Sequence, residues 1–154
     1  MFAVRNETLV TASPLRIWAA LTRFDNYHRW HPFVRISGRP AVDTAVDYSF
    51  RIRPDRPRFR TMFARVRSVD THVQLVITFG LGWLVSFEDA YLLLPSANGV
   101  RLVHSLGCRG LLSLLFPRGR AIRNFTNLLE ATDLSLARHL SSARRGRASE
   151  QGRR

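Results

Sequence analysis

From Phe33 to about Leu106 the chain alternates apolar and polar residues with a period of two, and after Pro117 the period changes once, to that of a helix. This switch limits the fold more than any other feature. Turn residues divide the alternating region into expected strands at 33–37, 45–53, 59–69, 72–80, 85–94 and 100–108. Residues 2–11 alternate weakly and suit a first strand. Ser13-Pro14 then reads as an N-cap followed by the first helical position, with Ile17, Ala20, Leu21 and Phe24 at helical spacing. Asp25 suits the cap of a second short helix that stops before His31-Pro32. Beyond Pro117, Ile122, Phe125, Leu128, Leu129, Thr132, Leu136 and Leu140 form one apolar stripe, expected as a helix over about 120–143. About 25 helical residues span about 37 Å, enough to cross a whole sheet. Consecutive strands with short connections imply an antiparallel meander, hence an α+β fold: a curved sheet of about seven strands around one long C-terminal helix, with two short helices after the first strand. A curved sheet holding one helix seldom fills with side chains, so a cavity between them is expected.

The hairpins decide which residues face that helix. Asn98-Gly99 is a two-residue turn signal. Across such a turn, odd positions before it share a face with even positions after it. One face then carries Phe87, Asp89, Tyr91, Leu93, Leu102, His104, Leu106 and Cys108, and is the more apolar. A turn at Asp70-Thr71 places Val73, Leu75, Ile77 and Phe79 on the same side as Met62, Ala64, Val66 and Ser68, with Arg65 and Arg67 outside. The strand before alternates Tyr48, Phe50 and Ile52 with Ser49, Arg51 and Arg53. These strands agree on an apolar interior and an arginine-bearing exterior.

Composition adds bounds. The 154 residues fit one domain, and 45% hydrophobic with 23% charged residues is globular rather than disordered. The net charge is +13, and every basic residue is Arg. A complete absence of Lys points to compositional bias more than to a binding-site design. The single Cys108 excludes an intramolecular disulfide and a multi-Cys zinc site, and a cytoplasmic location is the default expectation. No apolar stretch follows a basic start, so no signal peptide is expected, and Leu111 to Phe116 is far too short to span a membrane. Residues 144–154 are Arg-rich without large apolar residues and are expected as a disordered tail after a domain at 1–143.

The segment Ala12 to Phe33 contains Ser13-Pro14, Ile17-Trp18, Leu21-Thr22-Arg23-Phe24 and Tyr27-His28-Arg29-Trp30-His31-Pro32. It resembles the N-terminal signature of the START-like superfamily (SRPBCC, polyketide cyclase/dehydrase and lipid transport), with Arg23 where an Asp is common. Gly99-Val100-Arg101-Leu102-Val103-His104 is similar to the family's Gly-Thr-Arg-Leu-x-His strand, and Gly110 with the Leu-rich stretch after it also fits. The resemblance covers about residues 2–143. It implies a helix-grip fold with a hydrophobic cavity between sheet and C-terminal helix. Members bind lipids, polyketides or steroids, and a minority are cyclases or aromatases. Leu106 stands where an acidic residue is common, and Asp89 where a His is common. The family has no single shared catalytic set, so no catalytic residue is carried over.

The candidate ligand-binding set is Trp30, Tyr48, Phe50, Met62, Val66, Ile77, Phe79, Phe87, Asp89, Tyr91, His104, Leu106, Phe125 and Leu129. Within it, Asp89, Tyr91 and His104 read either as a polar anchor or acid/base pair, or as a buried cluster that only satisfies itself. His28 and His31 form a His-x-x-His pair without further ligands nearby, and read as a helix end beside a cavity rim rather than a metal site. Ser105 and His104 point to opposite faces and cannot form a nucleophile–base pair. No Gly-x-Ser-x-Gly elbow or phosphate-binding loop is present, and neither a cofactor nor a metal is expected. Arg51, Arg53, Arg65 and Arg67 read as the solvated outer face of the sheet, or as phosphate contacts. Leu111 to Phe116, followed by Arg118, Arg120 and Arg123, read as a packed lid or as a transient membrane contact. The leading expectation is therefore a non-catalytic binding protein for a small hydrophobic ligand, with no specific nucleic-acid partner. A polyketide cyclase or aromatase is the alternative, and a basic nucleic-acid-binding module the third class.

Overall fold

The computed structural model describes residues 1–53, 55 and 57–151, of which 143–151 as backbone only. The elements are β1 (Phe2–Val10), α1 (Pro14–Thr22), a 3-10 turn (Phe24–Arg29), β2 (Val34–Ser37), β3 (Ala45–Phe50), β4 (Arg60–Asp70), β5 (Gln74–Gly80), β6 (Ser86–Ser96), β7 (Gly99–Arg109), a second 3-10 turn (Leu111–Leu115) and α2 (Arg118–Gln151). The strands form one antiparallel sheet in the order β1-β7-β6-β5-β4-β3-β2. This is the α+β helix-grip arrangement. β1 closes the order next to β7, and the other strands follow the chain.

Ser13 caps α1 with its side-chain Oγ, which accepts from Arg16 N–H at 3.4 Å, while its carbonyl accepts the first intrahelical bond from Ile17 N–H at 3.1 Å and Pro14 occupies the first turn. Ile17, Trp18 and Leu21 turn inward, and Tyr27 in the following turn donates its hydroxyl to Leu21 O at 2.8 Å. The second short helix is a 3-10 turn starting at Phe24, with Asp25 inside its first turn rather than at its cap.

Several registers differ from the sequence reading. The β6–β7 loop is Ala97-Asn98, and Gly99 opens β7, pairing with Ser96. Gly99 has φ +141, and a Cβ there would lie 2.4 Å from Val10 O, so only glycine fits between β6 and β1. Moving the loop by one residue shifts the register by two, so the inward faces keep their parity. Between β4 and β5 the turn is Thr71 to Val73, with His72 at φ +63, and Val73 is exposed rather than inward. A bulge between Val66 and Ser68 then reverses the faces, so Ser68 pairs with Val76 and Val69, not Ser68, packs against the core. β3 stops at Phe50 instead of reaching 53. The stretch that follows holds Pro54 and Pro57, which cannot donate to a ladder.

α2 lies across the concave face. Leu129, Leu136 and Leu140 are buried against the sheet, whereas Ile122, expected in the same stripe, is exposed. The helix is described through Gln151 rather than ending near Ala143. The expected tail at 144–154 falls on side chains, and at 152–154 on backbone, outside the described residues. The core fills one end of the grip. There Val10, Ile17, Leu21, Tyr27, Leu75, Tyr91, Val100, Leu102, Leu136 and Leu140 form one continuous cluster. The other end is not filled.

Candidate functional site

The unfilled end is a cavity of about 1050 Å³, near the top of the usual range for ligand sites. β3 supplies Tyr48 and Phe50, β4 Met62, β5 Phe79, β6 Phe87 and Asp89, β7 His104 and Leu106, and α2 Phe125 and Leu129. The eight strand residues among these share one wall because strand residues two apart point the same way, and Phe125 and Leu129 face that wall from α2. Phe79 stacks between Tyr48 at 4.2 Å and Phe87 at 5.1 Å, and Phe87 meets Phe125 edge-on at 6.2 Å, so the wall is a continuous aromatic surface. Trp30, Val66, Ile77 and Tyr91 belong instead to the packed core behind the wall. Their parity is inward, but they lie at the filled end of the grip or behind His31 and His104. Among the described residues, Trp30 Nε1 is buried without a hydrogen-bond partner.

The candidate set omitted His31, Phe33, Leu128 and Thr132, which the structure puts in the lining, although the sequence already puts His31 beside a cavity rim. The set also omitted the rim arginines, where Arg51, Arg53, Arg58 and Arg60 stand beside Ile52 and Phe116. Arg51 and Arg53 are thus not on the outer sheet face. The strand that would have pointed them outward has ended at Phe50. Arg65 and Arg67 do lie on the exposed side, where Arg65 Nη1 donates to Asp43 O at 2.7 Å and Arg67 sits 3.8 Å from the Asp43 carboxylate.

The polar part of the wall is a chain of hydrogen bonds. His104 Nδ1 donates to Asp133 Oδ1 at 2.8 Å, and Nε2 donates to Asp89 Oδ1 at 2.9 Å. Tyr48 donates its hydroxyl to Asp89 Oδ2 at 2.8 Å. Asn6 Nδ2 donates to Asp133 Oδ2 at 2.6 Å. An imidazole flanked by two carboxylates keeps both protons. Burial alone would lower the His104 pKa, but the bonds and charges of Asp133 and Asp89 outweigh it and raise it to about 9. The imidazolium also lies flat on the Tyr91 ring, 4.1 Å between centroids, a cation–π contact. Burial and the Asp89 charge push the hydroxyl pKa values of Tyr48 and Tyr91 well up, so both stay neutral donors.

Asp133 is the group the sequence reading passed over. It lies four residues after Leu129 and three before Leu136, in the middle of the apolar stripe, and is fully buried. A carboxylate at such a position needs a buried partner, and that was the available signal.

His31 behaves in the opposite way. Its Nδ1 accepts from Val34 N–H at 3.1 Å and Phe33 N–H at 3.3 Å, which leaves the proton on Nε2, facing the Tyr91 hydroxyl at 3.4 Å. Burial, then the charges of His104 and Arg35, hold its pKa well below the usual histidine value. His28, its expected companion, is exposed, with Nδ1 2.8 Å from Asp25 O. Neither cavity imidazole therefore presents a free lone pair. Asp89 does: each carboxylate oxygen has one partner from the protein and a second lone pair left over. The wall can accept a hydrogen bond from a ligand hydroxyl or amine at Asp89.

Comparison with known proteins gives the same architecture. A START superfamily protein of Mycobacterium smegmatis superposes with a TM-score of 0.74 at 16% identity, over 92% of this chain and 98% of that one. Protein MLL2253 of Mesorhizobium loti gives 0.70 at 17%, over 92% and 98%. A putative protein in the dynemicin biosynthetic locus gives 0.68 at 17%, over 92% of this chain but 48% of that one. No curated protein matches the chain in sequence. Residues 1–139 match the family described as polyketide cyclase / dehydrase and lipid transport, and with the START-like fold that match makes the chain a member of that family.

Proposed function

We propose that the protein binds, and thereby carries or sequesters, a small hydrophobic molecule in the cavity between the sheet and α2. One observation carries this reading: an aromatic-walled cavity of about 1050 Å³ with Asp89 on its wall, each of whose oxygens keeps an acceptor position beyond Tyr48 and His104. Aromatic surface supplies affinity, and the open acceptor supplies orientation. The cyclase alternative draws on the family alone. His104 is an imidazolium with both protons committed and His31 holds its lone pair on backbone N–H groups, so the two histidines are poor general bases. The lone Cys108, buried on β7, fits the reducing cytoplasm. Native mass spectrometry of freshly purified protein tests the binding reading. The wild type should retain a small apolar adduct, and Leu106→Trp, which puts a bulkier side chain into the ligand space, should retain less of it while still folding. Absence of any adduct, together with no uptake of the neutral dye Nile red, would refute it.

A membrane contact is the finer part of this reading. Leu111 N–H donates to Trp83 O and Leu112 N–H to Leu84 O, which joins the loop after β5 to the turn after β7. The joined loops expose Leu81, Trp83, Leu111, Leu114 and Leu115 beside Arg118, Arg120 and Arg123. Phe116 links them to the cavity rim. Apolar side chains with Trp and arginine suit an anionic bilayer surface. No helix among the described residues is long and apolar enough to cross a membrane. Sedimentation with phosphatidylglycerol vesicles, but not phosphatidylcholine vesicles, is expected, and Trp83→Ser should weaken it. Equal sedimentation with both would count against the anionic preference, and sedimentation with neither would count against the contact.

A further inference from the structure

The rim of the cavity is chemically unlike its walls. Residues 51–60 contain five Arg and one Asp. Four of those arginines, Arg51, Arg53, Arg58 and Arg60, stand in the cavity lining. Arg53, Arg58 and Arg60 are exposed, and among the described residues no carboxylate pairs with them. Arg51 is fixed differently. Its Nε donates to Pro32 O at 2.8 Å, and its guanidinium lies 4.9 Å from the centroid of Phe59. Arg35 lies 5.1 Å from the same centroid. Two guanidiniums on one aromatic ring repel each other, and burial followed by the Arg51 charge lowers the Arg35 pKa. The rim is thus an organised concentration of positive charge, with its nearest cavity carboxylate, Asp89, already bonded to Tyr48 and His104.

A solvated outer sheet face would carry such arginines without consequence. These ones ring the mouth of an apolar chamber. A ligand that enters tail first leaves its head group among them, within reach of several guanidiniums that can donate charge-assisted bonds. We propose that the cavity takes an amphiphile with a hydrocarbon body and an anionic head, a carboxylate or a phosphate ester, held at the mouth by Arg53, Arg58 and Arg60. This rests on the binding reading above and sharpens its ligand class. The charge runs from cationic rim to acceptor end, so an anionic head is repelled from Asp89 and drawn to the mouth. The orientation follows from that polarity.

The test is displacement of Nile red by dodecanoate, dodecyl phosphate and 1-dodecanol, below their aggregation limits, at low and at high salt. At low salt at least one anion should bind about tenfold more tightly than the alcohol, and salt should erase the difference. The anion that gains names the head group. The triple variant R53Q/R58Q/R60Q should reduce the anions to the level of the alcohol and leave the alcohol unchanged, while R67Q on the outer face should alter nothing. If dodecanol equals both anions in the wild type, or if the triple variant leaves the anions unaffected, the mouth proposal is overturned and the cavity reading stands. If none of the three displaces the dye, the mouth proposal is likewise overturned; if the folded protein takes up no dye at all, the binding reading itself fails.

Discussion

His104 gives both of its ring protons to buried carboxylates, and this sets how the protein should respond to pH. Its folded pKa of about 9 lies above the ordinary value of 6.5. The folded state therefore binds the proton more tightly than the unfolded chain. The stabilisation, roughly 3 kcal/mol, is complete below pH 6.5 and is lost as pH rises through about 9. His31 has the reverse sign. Its lowered pKa keeps it neutral in the fold, so stability falls as pH drops below the ordinary histidine range. Denaturant midpoints measured across pH should peak near neutrality. His104→Gln should flatten the alkaline limb, and an alkaline limb of unchanged slope in that variant would contradict the assignment. The residue scale was also the least legible in the sequence. Alternation placed Asp89, Tyr91 and His104 on one face, but the partner of His104 comes from α2, 29 residues away, where Asp133 looked like an ordinary polar interruption of a helix.

At the scale of elements, α2 performs two tasks along one stripe. Leu136 and Leu140 pack in the filled end, and Leu129 is buried where it lines the cavity. Phe125 is only half-buried, stacked 5.6 Å from Phe2 and edge-on to Phe87 at the cavity. Phe125→Ala should therefore cost about 2 kcal/mol, less than the roughly 3–5 expected of a fully packed ring. It should also weaken Nile red uptake. A loss in the full-packing range with dye uptake unchanged would place Phe125 in the core instead. Element order and facing were legible because alternation survives errors in register. The β6–β7 loop shifted by one residue without exchanging faces, whereas the bulge in β4 exchanged Ser68 for Val69. A bulge inserts one residue and leaves no mark in the alternation, so it could not be read beforehand. The end of β3 could have been: Pro54 and Pro57 already argued that Arg51 and Arg53 were leaving the sheet.

For the whole molecule, the grip is closed at one end by α1 and the aromatic turn after it, and open at the other. Val66, Ile77 and Tyr91 fall in the closed half, while Phe50, Met62 and Phe79 reach the open half. Face parity cannot distinguish these halves, because position along the strand rather than side of the sheet decides which residues line the cavity. The last residues are rich in Arg. No large apolar residue follows Leu140, so deleting 146–154 should leave the melting temperature nearly unchanged and reduce retention on polyanions. A large drop in melting temperature would show that this segment docks on the domain.

The central claim is that the open half of the grip receives the apolar body of a ligand. An amide chemical-shift titration with 1-decanol tests it most directly. The account predicts saturable shifts at the strand positions that line the cavity, at Phe50, Phe79, Phe87, Asp89 and Leu106, and on α2 around Phe125 and Leu129. Asp89→Asn should weaken them, because a carboxylate is the stronger acceptor for the hydroxyl. Shifts confined to outward positions such as Phe63 and Arg65, or none at saturating alcohol, would contradict it.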